Sequence, residues 1–265
     1  MTSAPVFATI DQVATPDAPV LPAALRHARA SDRYEQGLAR AVELLRQAAA
    51  EHAGAVVQAS SLGVEDMVLS DLIHRHGLDI RVATLDTGTL HLETLELIER
   101  VRRHYGLDIE IWRPEQQAVL SFVQRHGPDA MYRSVPLRKA CCAVRKLEPL
   151  GRMLEGRSAW ITGLRREQSA QRGDVGEREL GADGRVKFSP LASWGLGDVW
   201  HYVAQHGVPY NPLHDRFYPS IGCAPCTRAV AVGEDQRAGR WWWELDGAKE
   251  CGLHPEARHA VGAQT

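Results

Sequence analysis

The stretch Ala55-Val56-Val57-Gln58-Ala59-Ser60-Ser61-Leu62-Gly63-Val64-Glu65-Asp66 sets the fold: a short apolar run, a turn of hydroxyls and glycine, then an amphipathic segment from Val64 to His76. The plan recurs. Ile80 to Leu85 precedes a helical stretch from His91 to Tyr105, and Ile109 to Trp112 precedes one from Glu115 to His126. A fourth run, Ala159 to Thr162, continues the series, and Leu196 to Gln205 supplies another helix. Upstream, Ala41, Val42, Leu44, Leu45 and Ala48 recur at helical spacing, with Gly54 as a stop. Strands that alternate with helices of this length need crossover connections. The expected fold is therefore α/β, an open, mainly parallel sheet with helices on both faces.

Residues 1–24 are rich in Ala, Pro and Thr without an apolar period and read as a flexible N-terminal arm. Residues 25–235 read as the α/β domain. After Cys226 the pattern turns to Gly, Arg and Trp, so residues 236–265 read as a functional tail that docks on the domain. With 265 residues, 44% hydrophobic and 24% charged, the chain has the balance of a soluble protein with a full core. A net charge of -2 gives no general field for nucleic acid or anionic membrane, and no nucleic-acid or membrane partner is expected. The absence of a long apolar run or a signal-peptide pattern points to the cytoplasm. Five cysteines in a reducing compartment leave metal binding, catalysis or burial.

In an open α/β sheet, ligands sit beyond the carboxyl ends of the strands, where helix N-termini offer unpaired N–H groups. Ser60, Ser61 and Gly63 suit an anion cradle there, or simply cap a helix; the segment is neither the Walker nor the GxGxxG pattern. Leu85 and Asp86 open the second such turn, where Asp86 either faces a ligand or caps the turn. Gly163 follows the fourth run and either admits a ligand close to the backbone or ends a strand.

Cys141 and Cys142 are adjacent, and Cys223 and Cys226 form a CxxC with Gly222 before it and Pro225 inside it. Four thiolates from two segments match an Fe₄S₄ cluster or a zinc site. Adjacent cysteines disfavour a single zinc ion, because a cluster lets each thiolate bind a different iron. Lys139, Arg145 and Lys146 flank the pair and offset the charge of such a centre, or are solvated helix-surface charges. Cys251, in Lys249-Glu250-Cys251-Gly252-Leu253-His254, is left over: a nucleophile whose thiolate Arg237, Arg240 and His254 would favour, or an incidental surface thiol.

On these residues the chain resembles the assimilatory adenylyl-sulfate (APS) reductases of bacteria, within the wider phosphoadenylyl-sulfate (PAPS) reductase group. The likeness runs from about Tyr34 to His254 and rests on Cys141-Cys142-Ala143-Val144-Arg145-Lys146, Gly222-Cys223-Ala224-Pro225-Cys226, Arg237 to Trp243 and Glu250 to His254. It implies an ATP-pyrophosphatase (adenine nucleotide alpha hydrolase)-like fold. It further implies one [4Fe-4S] cluster on Cys141, Cys142, Cys223 and Cys226, with Cys251 as nucleophile and Lys146 between cluster and substrate. Arg172, Arg237, Arg240 and His254 would contact the phosphosulfate, although Arg165, Arg166 and Arg172 share one loop.

The resemblance implies reduction of APS to sulfite and AMP in sulfate assimilation for cysteine biosynthesis. The chemistry asks for cations, because a thiolate attacking a sulfate sulfur brings two anions together. With four cysteines occupied, an S-sulfonated Cys251 needs an external dithiol, thioredoxin or glutaredoxin, to release sulfite. Rival readings are a PAPS or dual reductase and a non-enzymatic iron–sulfur nucleotide sensor; oligomeric state is left open. An ATP-dependent adenylating enzyme of the same fold would need an SGGxDS-type loop, which Ser60 to Asp66 does not provide.

Overall fold

The computed structural model describes residues 21–169 and 172–244. Six strands form one sheet in the order β3-β2-β1-β4-β6-β5: β1 Val56–Ser60, β2 Arg81–Leu85, β3 Ile109–Trp112, β4 Ala159–Ile161, β5 Arg178–Leu180 and β6 Val186–Phe188. Every pairing is parallel except that of β5 with β6, so the expected fold class holds. The first four strands fall on the four apolar runs. The edge pair β5 and β6 went unread because Arg178, Glu179 and Lys187 interrupt any apolar pattern, and Lys187 bonds Glu179 across the pair at 2.7 Å.

The helices are α1 Ala23–His27, α2 Tyr34–Glu51, α3 Val64–Arg75, α4 Leu92–Tyr105, α5 Gln116–His126, α6 Ala130–Arg133, α7 Val135–Cys142, α8 Glu148–Leu154 and α9 Leu196–His206. Strand side chains alternate between the two faces. Val56, Val82 and Ile109 enter a large core with α2, α3, α4 and α9, whereas Val57 and Ala83 pack against Leu150, Met153 and Leu154 of α8. Helix α4 and α9 end on Gly106 and Gly207 at φ 65° and 64°, a left-handed stop that glycine takes without a Cβ penalty. Helix α1 begins inside the segment read as an arm, with Ala23 and Ala24 buried; residues 1–20 lie outside the described residues.

Where α7 ends, the chain winds one π-turn over Ala143–Leu147 before α8. Such a turn adds a residue to the helical circuit and re-aims the side chains on it, here Arg145 and Lys146. Both adjacent cysteines thus end α7, and two cations follow on the widened turn. Their places in space depend on this local irregularity as much as on the sheet.

Candidate active site

A cavity of about 230 Å³ opens at the carboxyl ends of β1, β2 and β4. Ser60, Ser61 and Gly63 line it from the first turn, Leu85 from the second and Gly163 from the fourth. Asp66, at the start of α3, ties two of these turns together. Its Oδ2 accepts from the Ser61 N–H and hydroxyl, each at 2.7 Å, and its Oδ1 accepts from the Gly163 N–H at 2.9 Å. Burial pushes the Asp66 carboxyl up to about 6, against these hydrogen bonds. The Ser61 donors therefore serve an internal carboxylate and set the shape of the turn. Next to it Glu65 accepts from Arg165 Nε at 3.0 Å and from Gln168 Nε2 at 2.9 Å. Although burial acts against it, the Arg165 charge holds Glu65 below the usual carboxylate range.

Gly163 has no room for a side chain. A Cβ there would lie 2.6 Å from Asp66 Oδ1 and 3.0 Å from the Asp66 backbone nitrogen. Gly163→Ala is expected to push these turns apart, costing about 1–3 kcal/mol of stability and weakening AMP binding by roughly tenfold or more. Calorimetric titration together with thermal unfolding checks both; unchanged AMP affinity would show that the turns do not shape the binding surface.

The cavity has one apolar wall and one basic wall. Leu85, Leu150, Met153 and Trp160 form the first, a surface fit for a flat ring. Lys146, Arg172, Arg237 and Arg240 supply the second. Arg172 donates to Gln168 Oε1, which connects it to Glu65. Arg240 lies over the Trp241 ring at 4.7 Å and packs on Gly222, where any side chain would overlap its guanidinium. Of the three arginines sharing one loop, Arg165 is buried in its pair with Glu65 at 2.9 Å, Arg166 donates to the Val175 carbonyl, and Arg172 reaches the cavity.

A second, smaller cavity of about 10 Å³ lies behind the first. Cys141, Cys142, Cys223 and Cys226 all line it, all buried, with Arg138, Arg145 and Lys146 around them. Lys146, Cys223 and Trp241 border both cavities. Thr87 Oγ1 lies 3.2 Å from Cys223 Sγ, and Arg145 holds the Thr87 carbonyl at 2.8 Å. Burial, with Cys223 nearby, pushes the Cys226 thiol up to about 12, and burial also raises Cys141. Burial acts on Cys223 too, but Lys146 and the Thr87 and Thr89 hydroxyls bring it below its ordinary value. Among the described residues no three His, Cys, Asp or Glu side chains stand in a ready-made metal-binding geometry.

The described part of the tail folds back on this thiol cavity. Thr227 bridges Arg240, and the Trp241 N–H donates to the Cys226 carbonyl at 3.3 Å. Glu244 forms a buried two-point pair with Arg138, Oε1 to Nε at 2.6 Å and Oε2 to Nη2 at 2.9 Å. Asp86 stands off the large cavity, with Arg113 at 2.9 Å and the Gly88 N–H at 3.0 Å on its carboxylate. Cys251 and His254 lie outside the described residues. Lys139 is exposed. Sequence reading did not single out Glu65, Gln168, Trp160, His214 or the Pro219–Gly222 segment as lining residues; no local motif marks them, because tertiary packing alone brings them to the sheet edge.

The phosphoadenosine phosphosulfate reductase domain model matches residues 55–229. Adenosine 5'-phosphosulfate reductase of Allochromatium vinosum is 58% identical over 217 residues, 82% of this chain and 84% of that protein. The enzyme of the same name from Neisseria meningitidis serogroup A is 48% identical over 225 residues, covering 83% and 92%. A solved phosphoadenylyl-sulfate reductase from Candida auris superposes with a TM-score of 0.61 at 24% identity, covering 74% and 97%, a likeness of fold.

Proposed function

Because this chain belongs to the phosphoadenosine phosphosulfate reductase family, and matches its adenosine 5'-phosphosulfate reductases over most of its length, we propose that the large cavity binds APS and that Cys251 attacks it. The chain is an oxidoreductase acting on sulfur and reduces APS in sulfate assimilation. One observation supports the site assignment most: the apolar wall, the glycine-rich turns and four basic side chains meet in one cavity, which shares Cys223, Lys146 and Trp241 with the cavity of four thiols.

The adenine ring lies on Leu85, Leu150, Met153 and Trp160, and the phosphosulfate faces Lys146, Arg172, Arg237 and Arg240, joined by His254. Arginine offers permanently charged forks to sulfuryl and phosphate oxygens, and lysine a point charge. The Cys251 thiolate attacks the APS sulfur. A sulfur–sulfur bond forms, the bond from that sulfur to the bridging oxygen breaks, and AMP leaves with the electron pair. Fixed cations offset the repulsion between thiolate and sulfate and the charge gathering on the leaving oxygen. A dithiol, thioredoxin or glutaredoxin, then attacks Cys251 Sγ and expels sulfite; its second thiol closes the disulfide and frees the Cys251 thiolate. Sulfur passes from the sulfate to the sulfite level while the dithiol is oxidised.

Glu244, the last described residue, is pinned to Arg138. Cys251 lies seven positions further on, and an extended chain of that length reaches about 24 Å. That reach would let the nucleophile serve both substrate and reductant, the role proposed for residues 236–265.

The donor set fits a [4Fe-4S] cluster. Four buried thiols crowd one cavity, where burial and one another's charge keep Cys226 protonated, and cationic Arg138, Arg145 and Lys146 surround them. Thiolates so placed are stable when iron replaces their protons. Cys141, Cys142, Cys223 and Cys226 would hold the cluster, which supplies a fixed anionic centre and a cross-link between α7 and the CxxC turn. Lys146, which lines both cavities, would stand between cluster and substrate. Among the described residues no helix is long and apolar enough to cross a membrane, and free cysteines with a dithiol reductant fit the cytoplasm.

Turnover tests the substrate. With thioredoxin as reductant, APS is expected to yield sulfite and AMP at least tenfold faster than its 3′-phosphorylated form. Equal rates would make this a dual reductase, and no sulfite from either would leave the sensor reading.

A further inference from the structure

Among the buried polar atoms that lack a hydrogen-bond partner is His214 Nε2, on the wall of the large cavity. His214 is 5% exposed and belongs to the 3₁₀ turn Pro212–Arg216. The turn is held from three sides. The Asn211 side chain accepts from the Leu213 N–H at 3.0 Å and donates to Thr94 Oγ1 at 2.9 Å. Arg26 donates to the His214 carbonyl at 2.9 Å, and the imidazole packs edge-on against Trp200 with centroids 5.2 Å apart. A ring fixed this firmly, with one bare nitrogen on a cavity wall, has the form of a ligand contact, since an unpaired buried polar atom costs about 1–3 kcal/mol when nothing answers it.

The bare nitrogen has a definite character. The Tyr218 backbone favours a proton on the ring, and with Nε2 left without a partner the N–H is assigned to Nδ1. Nε2 therefore presents a lone pair. Burial pushes the His214 pKa down to about 4, so the ring stays neutral near pH 7 and Nε2 stays an acceptor. An acceptor there repels the phosphate and sulfate oxygens, which are themselves acceptors. The donors on an adenosine nucleotide are the adenine amine and the ribose hydroxyls. Leu85, Leu150, Met153 and Trp160 take the adenine on the reading above, and His214 is not among the residues of that wall; it lines the same cavity, close enough to Glu65 of the first turn to feel its charge.

We propose that His214 is a substrate-binding residue whose Nε2 accepts a hydrogen bond from a ribose hydroxyl of the nucleotide. The assignment rests on the nucleotide reading of the cavity. It fixes the sugar between the apolar and the basic walls, and thereby the distance from adenine to the reacting sulfur.

Calorimetric titration of the full chain with AMP, 2′-deoxy-AMP, 3′-deoxy-AMP and inosine monophosphate tests it, on wild type, His214→Phe and His214→Gln. Wild type is expected to bind one of the deoxy nucleotides about tenfold more weakly than AMP. His214→Phe, which keeps a ring but lacks the lone pair, is expected to lose tenfold on AMP and nothing further on that deoxy nucleotide. His214→Gln, which keeps an acceptor, should remain within about threefold of wild type. Equal loss on all four nucleotides, or no deoxy penalty in wild type, would overturn the proposal; a penalty confined to inosine monophosphate would move the bond to the amine and overturn the ribose assignment. Failure of wild type to bind AMP at all would instead bring down the nucleotide reading.

Discussion

Replacing Cys251 with serine is expected to reduce sulfite formation from APS by at least about 10³-fold while leaving AMP affinity within about twofold. The asymmetry comes from where the residue acts. On the proposed reading, binding energy resides in the two cavity walls, whose described lining residues are all residues other than Cys251. The bond-forming step needs a thiolate, and a serine hydroxyl, far less acidic than a thiol, supplies almost no anion at neutral pH. Loss of a covalent nucleophile typically removes the chemical step and spares the ground state. Stopped assays of sulfite, run beside nucleotide titration on the same preparation, read the two quantities separately. A large loss of AMP affinity in the serine variant would mean that residue 251 belongs to the binding surface or to the iron site.

The second large effect comes from Glu244. Arg138 has no exposed side-chain surface and Glu244 has 4%, and the guanidinium also lies over Trp241 at 4.4 Å. Removing the carboxylate alone strands a buried cation, which costs about 3–5 kcal/mol, whereas replacing both partners by apolar groups of similar size is often near neutral. Glu244→Ala is therefore expected to lower the melting temperature by on the order of 10 °C. Arg138 sits on α7 beside Cys141 and Cys142, and Glu244 follows Trp241, which borders both cavities. The variant should also retain less iron than the wild type, for which anaerobic purification is expected to give about four irons per chain. The double variant Arg138→Met with Glu244→Met should recover most of the stability. Calorimetric melting and iron analysis check the pair; a Glu244→Ala protein as stable as wild type would mean that the ion pair does not anchor the tail.

How much of this was legible in the sequence depended on range. Strands β1 to β4 and the five longer helices showed themselves through local periodicity, as in Val64 to Arg75 and Leu92 to Tyr105. Strands β5 and β6 did not, because three-residue strands built on Arg178, Glu179 and Lys187 have no apolar signature. Helices α6 to α8 and the π-turn were equally silent; the segment Ala130 to Leu154 breaks into short pieces around Pro136 and Pro149. At the site, residues with a chemical label were the readable ones: paired cysteines, the arginines, and the glycines of the turns. Glu65, Gln168 and His214 carry no such label. They matter because β1, β4 and the turn after α9 meet at one place, which is a property of packing. Asp86 illustrates the opposite case, a labelled residue whose position after a strand looked informative while its carboxylate is engaged by Arg113 and the Gly88 N–H.

On the proposed mechanism, a cysteine of this chain takes the sulfuryl group from APS before any reductant arrives. Intact-protein mass spectrometry after mixing wild type with APS in the absence of dithiol tests it most directly. The expected result is one added sulfonate, mapped by peptide analysis to Cys251, with AMP released in equal amount. An unmodified Cys251 alongside consumed APS, or a sulfonate on one of the four paired cysteines, would contradict it.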